Sequence, residues 1–562
     1  MPCLRSLHFA FTTSSTAFLA ASTLLTLGAC GDEPTMMTGA GSDTGTGTDS
    51  STDVGDSSTG DTTEGSADDE STSGGPEEAG PLYAVVTAWS ANLPVVQIAD
   101  ISDPEVEPTL VTVQERPNPA DRIRNALVTD TWSAYPVWQD LDYRLMLHDL
   151  VNAPMGPMVE VQGLGVGQIE LHMDHARSLL TVAVDDGVNM PGYLVHLDGD
   201  PTVATPVEGA PSRVHLRLSP DGAWLWGFGD DQSYAGQIYA APIVDGLADP
   251  LTELSSFPYG LGAGPALVVT EDQAIVRAGD WATGLYLADV SAWPTAEITE
   301  IFPPDPTQSF QWDVSPRGTH AVRLSSDIDF QYNGELATIV DGVPQAPVPI
   351  NAPPDSIHET YFTDDGAFLF MNVAAGAGLD DIMVAWLDGP DPASPQVLST
   401  ARFQLLDNDP LVLLDGWAVW QAGVGGLQAA SIDGDTIGAV QQISPELELI
   451  SSLWVSNEHV VYTLEDPMGE HIPQRLWLID MSGDTPGEPI PATPPLAEGV
   501  SGTSTFATPS NDQLFYMTFE ASPGAASIRG MWRWRPDMDG SETLLMEHPT
   551  GWGFHLATPP PV

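Results

Sequence analysis

Two acidic groupings and one histidine pair carry the residue types that hold metal ions. Asp327, Asp329, Asn333 and Glu335 form the first grouping, and Asp537, Asp539 and Glu542 the second. Hard oxygen ligands of this kind suit Ca²⁺, but neither run has the spacing of an EF-hand loop. The same residues in exposed turns of an acidic chain are simply solvated carboxylates. Calcium is therefore the one cofactor the sequence raises, and both readings stand. His172-Met173-Asp174-His175 sets two imidazoles three positions apart, where a strand points them to opposite faces. That geometry reads them as hairpin residues. Asp230-Asp231 and Asp380-Asp381 are adjacent carboxylates that either form dyads or decorate loops. Trp532-Arg533-Trp534-Arg535 places indoles on one strand face and guanidiniums on the other. Core packing with an outward cationic face is expected, and recognition of a glycan or an acidic ligand is the alternative. The chain has no G-x-S-x-G elbow, phosphate-binding loop, H-E-x-x-H or zinc-spaced cysteine pair, so no catalytic residue is assigned.

Charge narrows the chemistry further. Asp and Glu number 78 against 16 basic residues, a net charge of −62, and every basic residue is arginine. Without lysine there is no Schiff-base or pyridoxal-phosphate chemistry and no P-loop lysine. The acidity excludes a nucleic-acid partner, which requires a basic footprint, and a polybasic membrane-surface role. It fits a soluble surface whose interactions depend on salt.

The elements that must position these residues repeat. From about residue 81 the chain is a succession of short alternating runs separated by turn residues. Residues 213–229, "RVHLRLSPDGAWLWGFG", read as two strands hinged on Pro220-Asp221-Gly222. Residues 309–326 repeat the pattern on Pro316-Arg317-Gly318, and 357–373 on Asp364-Asp365-Gly366. The three glycines lie 96 and then 48 residues apart, two periods and one. Fainter copies bring the total to about ten units. Alternation of Val214, Leu216 and Leu218 with Arg213, His215 and Arg217 gives each strand one buried and one wetter face. A unit of three or four strands cannot bury that face alone, so copies must stack, and a period in the forties points to propeller blades. The expected fold is all-β, a β-propeller of about seven to ten three- to four-stranded blades. Trp224, Trp226, Trp312 and Phe370 are expected between blades. The alternating Trp552, Phe554 and Leu556 near the C-terminus are expected to pair with "LYAVVTAW" (82–89) and close the ring.

"LSPDGAWLWGFG" with "QIYAAPIVDG" resembles the PD40 repeat, a WD40-like unit of propellers similar to the translocation protein TolB. "VVQIADISDPEVEPTLVTV" (95–113) resembles the LVIVD repeat of surface-protein propellers. Together the two cover most of residues 81–550.

The leader says where such a body would reside. Arg5, an apolar Ser/Thr-diluted run and a small-residue exit make residues 1–29 a secretory signal. Leu27-Gly28-Ala29-Cys30 resembles the bacterial lipobox, which implies diacylglycerol on the Cys30 sulfur and cleavage before it. Residues 30–80 are then a lipidated cysteine followed by a Gly/Ser/Thr/Asp/Glu linker without aromatic or basic residues, expected to be disordered. Its coil would reach about 40 Å. Residues 81–562 form the repeat domain. The expectation is a lipid-anchored envelope protein of the outer membrane or cell surface, acting as a non-enzymatic binding or scaffolding module. It would meet the membrane through its anchor and a protein, peptide or glycan at the envelope. The alternative is an envelope hydrolase or lyase whose carboxylates line the propeller channel.

Overall fold

Three hairpins show how the repeat folds. In the first, Ser219 accepts from the Gly222 N–H and pairs with Trp224, while its hydroxyl bonds Asp221 at 2.6 Å and accepts from the Trp224 N–H at 2.9 Å. Ser315 repeats this arrangement toward Gly318 and His320, and Thr363 toward Gly366 and Phe368. The three glycines adopt φ of 70°, 70° and 66°, the left-handed step that follows a type I turn in a short hairpin. Each hydroxyl satisfies backbone donors that the sharp turn would otherwise orphan. Replacing Thr363 by valine keeps the shape and removes that acceptor. We expect a loss of about 1–2 kcal/mol in urea unfolding, because Thr363 is buried and the Phe368 N–H that it accepts from has no water to turn to. A loss below about 0.5 kcal/mol would mean the hydroxyl is dispensable.

A computed structural model describes the chain from Tyr83 to Ala557, short connecting segments excepted, the longest being 258–266, 403–410 and 465–475. Among the described residues every regular element is a strand, and the strands form ten antiparallel sheets of four or five strands. Each sheet is one blade of a ten-blade propeller. Blades 2 to 10 open, in order, with strands Arg122–Ile123, Gln168–Met173, Arg213–Leu218, Val268–Val269, Ser309–Val314, Ile357–Phe362, Leu411–Leu414, Ile450–Ser456 and Val500–Ala507. Blade 1 differs. Its first place is taken by Trp552–Ala557, which pairs with Tyr83–Ser90, followed outward by Leu93–Asp100 and Val111–Glu115. Val86 stands opposite Phe554 and Ala88 opposite Trp552, so the two ends of the body share one sheet.

The core lies between blades rather than within them. Strand Arg213–Leu218 alternates half-buried and buried residues as its sequence requires. Its Val214, Leu216 and Leu218 pack on Leu179 and Leu194 of blade 3. On the far side of blade 4, Trp226 and Phe228 pack on Val276 and Ala288 of blade 5. Apolar clusters of this kind fill each junction from blade 1/blade 2 to blade 9/blade 10. Phe370 and Trp226 are fully buried, whereas Trp224 and Trp312 are only partly covered by the clusters they flank. A blade removed from its neighbours would expose both faces, which is the physical reason the units must close on one another.

Candidate inner-edge site between blades 3 and 4

The first strands of neighbouring blades meet directly, and that fixes them as the inner edge of the ring. His215 of blade 4 donates from Nδ1 to Glu170 of blade 3 at 2.8 Å, 45 positions earlier. The Leu218 N–H donates to His172 Nδ1 at 3.3 Å. Thr360 of blade 7 reaches the Asp313 carboxylate of blade 6 at 3.3 Å. Because units stack with a period near 48, residues about one period apart on successive first strands become neighbours.

Among the described residues, Glu170, His172, His215 and Arg217 form a polar group on this edge. Strand alternation explains the set: Glu170 and His172 share a face of one strand, and Arg213, His215 and Arg217 share a face of the next. Burial alone would raise the Glu170 carboxyl. The hydrogen bond and charge of His215, then Arg217 and His172, outweigh it and hold the group below the usual carboxylate range. Burial lowers the Arg217 guanidinium, and Glu170 opposes that shift. Arg213 is held by Asp185 at 3.5 Å. His215 and Glu170 keep 34% and 37% of their side-chain surface exposed, so a solute can reach them. Accepting from Leu218 leaves the His172 proton on Nε2, so that nitrogen is a donor.

Of the residues singled out in the sequence, the structure brings few together. Glu335 is committed to Arg323, whose Nε lies 2.8 Å from the carboxylate, and Asn333 is exposed on the same strand. Asp327 and Asp329 lie outside the described residues, as do Asp537, Asp539, Glu542, Asp174, His175, Asp231 and Cys30. Among the described residues no three His, Cys, Asp or Glu converge as a metal site. Asp380 and Asp381 separate onto opposite faces of their strand. Asp380 is buried and bonds His358 Nδ1 at 3.1 Å, which raises the His358 pKa through the hydrogen bond, against burial.

Arg533 and Arg535 correct the expectation of an outward cationic face. They are 4% and 7% exposed and turn into the junction between blade 10 and blade 1. Arg533 bonds Gln513 at 2.7 Å and the Pro104 carbonyl, Gln513 bonds the Ile101 carbonyl at 2.7 Å, and Arg535 bonds Glu105 at 2.6 Å. Alternation separated the indoles from the guanidiniums correctly. It carried no sign that a loop more than 400 positions earlier covers the second face.

A concavity of about 460 Å³ opens between blades 8 and 9. Trp477, stacked on buried Tyr462 with ring centroids 6.4 Å apart, lines it together with Gln441, Gln442 and Glu488.

No protein-family model and no curated protein matches the chain. Among solved structures it is similar to a eukaryotic initiation factor at 10% identity, over 86% of this chain and 100% of that one, with a TM-score of 0.42. It is also similar to TolB from Acinetobacter baumannii at 16% identity, over 48% of this chain, with a TM-score of 0.24. Prolyl oligopeptidase B from Galerina marginata aligns at 11% identity over 62% of this chain, with a TM-score of 0.33. The chain spans 64% of the TolB chain and 55% of the peptidase. The propeller assignment rests on the strand pairing itself, ten sheets joined through blade 1.

Proposed function

We propose that this chain is a lipid-anchored binding or scaffolding module of the bacterial cell envelope, with the propeller as its rigid platform. The observation that carries the binding reading is the preformed inner edge between blades 3 and 4. There, two separate units are already locked to one another, by the Glu170–His215 side-chain bond and by the Leu218 N–H on His172, and Glu170 and His215 remain open to solute. Preorganised polar groups on a stiff scaffold lower the ordering cost of binding. Support for the anchor comes from Leu27-Gly28-Ala29-Cys30 and from the acidic linker that follows it. Two or more acyl chains on Cys30 would hold the protein stably where one would be marginal.

Two experiments separate the halves of this reading. Cys30→Ser protein should move from the membrane pellet to the soluble fraction, since both acylation and cleavage need that sulfur. Retention on the membrane after a carbonate wash would refute the lipid anchor. Cross-linking in intact cells, followed by purification of the full chain, should recover a specific envelope partner. Recovery of none above a scrambled-bait control would count against the scaffold.

A further inference from the structure

We infer that the inner edge between blades 3 and 4 is a binding site for a small oxyanion, a carboxylate or a phosphate, received by Arg217 with His172 beside it. The inference deepens the binding reading above and rests on it.

The starting point is how unevenly the strand Arg213–Leu218 is charged. In a chain of net charge −62 with 16 basic residues, two arginines and a histidine occupy one face of a single six-residue strand. Two of the three are spoken for, Arg213 by Asp185 and His215 by Glu170. Arg217 makes no hydrogen bond or close ion pair with any described residue. Glu170, whose charge acts on it, already accepts from His215. A guanidinium carries five N–H donors in a rigid fork, and one held partly out of water without acceptors sits at a cost that an incoming acceptor removes. Arginine matches the two oxygens of a carboxylate or phosphate in that fork, which lysine does not.

His172 and Glu170 complete the arrangement. The Leu218 N–H fixes the His172 ring on the same strand face as Glu170, at the residue that follows Arg217. Glu170 does not compete for the Arg217 fork as a free carboxylate, because His215 holds it. The surrounding field sets the size of the ligand. A polyanion would meet repulsion from the rest of the acidic surface, whereas one or two charges can be satisfied locally. A monocarboxylate, a dicarboxylate or a free phosphate therefore fits, and an extended polyanion does not.

The test is isothermal titration of the full-length protein with inorganic phosphate and, separately, with succinate, in low-chloride buffer. The expected result is binding of at least one of them, weakened about tenfold or more in Arg217→Gln, a loss of about 1.4 kcal/mol. His172→Gln should weaken it by a smaller factor. Arg277→Gln, which removes an exposed arginine on another blade, should leave it unchanged. Arg217→Gln removes no bond within the fold, so its melting temperature without ligand should match the wild type, and added ligand should raise the melting temperature of the wild type alone. If Arg217→Gln fails to fold, Arg217→Lys keeps the charge without the fork and should show the same weakening. Absence of binding by either anion up to about 10 mM overturns the site, as does unchanged binding in the Arg217 variants. Loss of the anion site with an envelope partner still recovered by cross-linking would overturn this inference and leave the scaffold reading standing.

Discussion

Deleting residues 551–562 is expected to destabilise all ten blades, not just the blade that loses its strand. Trp552–Ala557 forms six backbone pairs with Tyr83–Ser90 and supplies the inner strand of blade 1. Without it, Tyr83–Ser90 becomes an unpaired inner edge, a template for intermolecular pairing. Blade 1 also shares its core with blade 2, where Val85, Val96 and Ile98 pack on Tyr135, Val137 and Met146. Loosening blade 1 therefore uncovers the face of blade 2, and the same argument passes from each junction to the next. The expected cost is at least about 5 kcal/mol, comparable to the whole margin of a typical domain, so the truncated protein should aggregate or melt far below the intact one. Urea unfolding followed by tryptophan fluorescence distinguishes this from an open row of units. In an open row only the terminal unit is lost, and the main transition keeps its midpoint and slope. An unchanged main transition would sink ring closure as a source of stability.

That strand was legible in the sequence because Trp552, Phe554 and Leu556 alternate after the last recognisable unit, while "LYAVVTAW" begins a unit at the other end of the body. The hairpins were legible for a similar reason. Gly222, Gly318 and Gly366 recur in phase with a Ser or Thr three positions before each, and only a left-handed residue closes that turn. The inner-edge cluster is legible only through the repeat period. Once the period is known, Glu170 and His215, 45 apart, must stand on adjacent first strands, as must Asp313 and Thr360, 47 apart. Alternation identified Arg213, His215 and Arg217 as the wetter face but gave no partner for them. The Asp380–His358 bond was hidden differently. It joins the first and third strands of one blade, and neither neighbour in sequence marks Asp380 as the buried member of its pair. Local alternation reports which face a residue takes, and only the stacking of units reports what covers that face.

Arg533→Met is expected to lower stability by about 3 kcal/mol. Its guanidinium is 4% exposed and links Gln513 to the Pro104 carbonyl, while Gln513 in turn holds the Ile101 carbonyl. Methionine keeps much of the volume but removes the bonds to the Gln513 oxygen and the Pro104 carbonyl. The buried Gln513 side chain loses that bond at a cost of about 1–3 kcal/mol, whereas the Pro104 carbonyl is only half-buried. Arg535 provides the contrast. Its partner Glu105 is 69% exposed, so water replaces the lost pair, and Arg535→Met should cost only about 1 kcal/mol. The exposed Arg277→Met should stay within about 0.5 kcal/mol of the wild type. Position in the ring makes the comparison more than a count of hydrogen bonds. Arg533 spans the junction where blade 10 meets blade 1, so its loss should accelerate hydrogen exchange in the strand Trp552–Ala557 and in its partner Tyr83–Ser90. Acceleration confined to blade 10 would show that the arginine braces its own sheet alone. Equal costs for Arg533→Met and Arg535→Met would show that burial of Gln513, the basis of the difference, does not govern this junction.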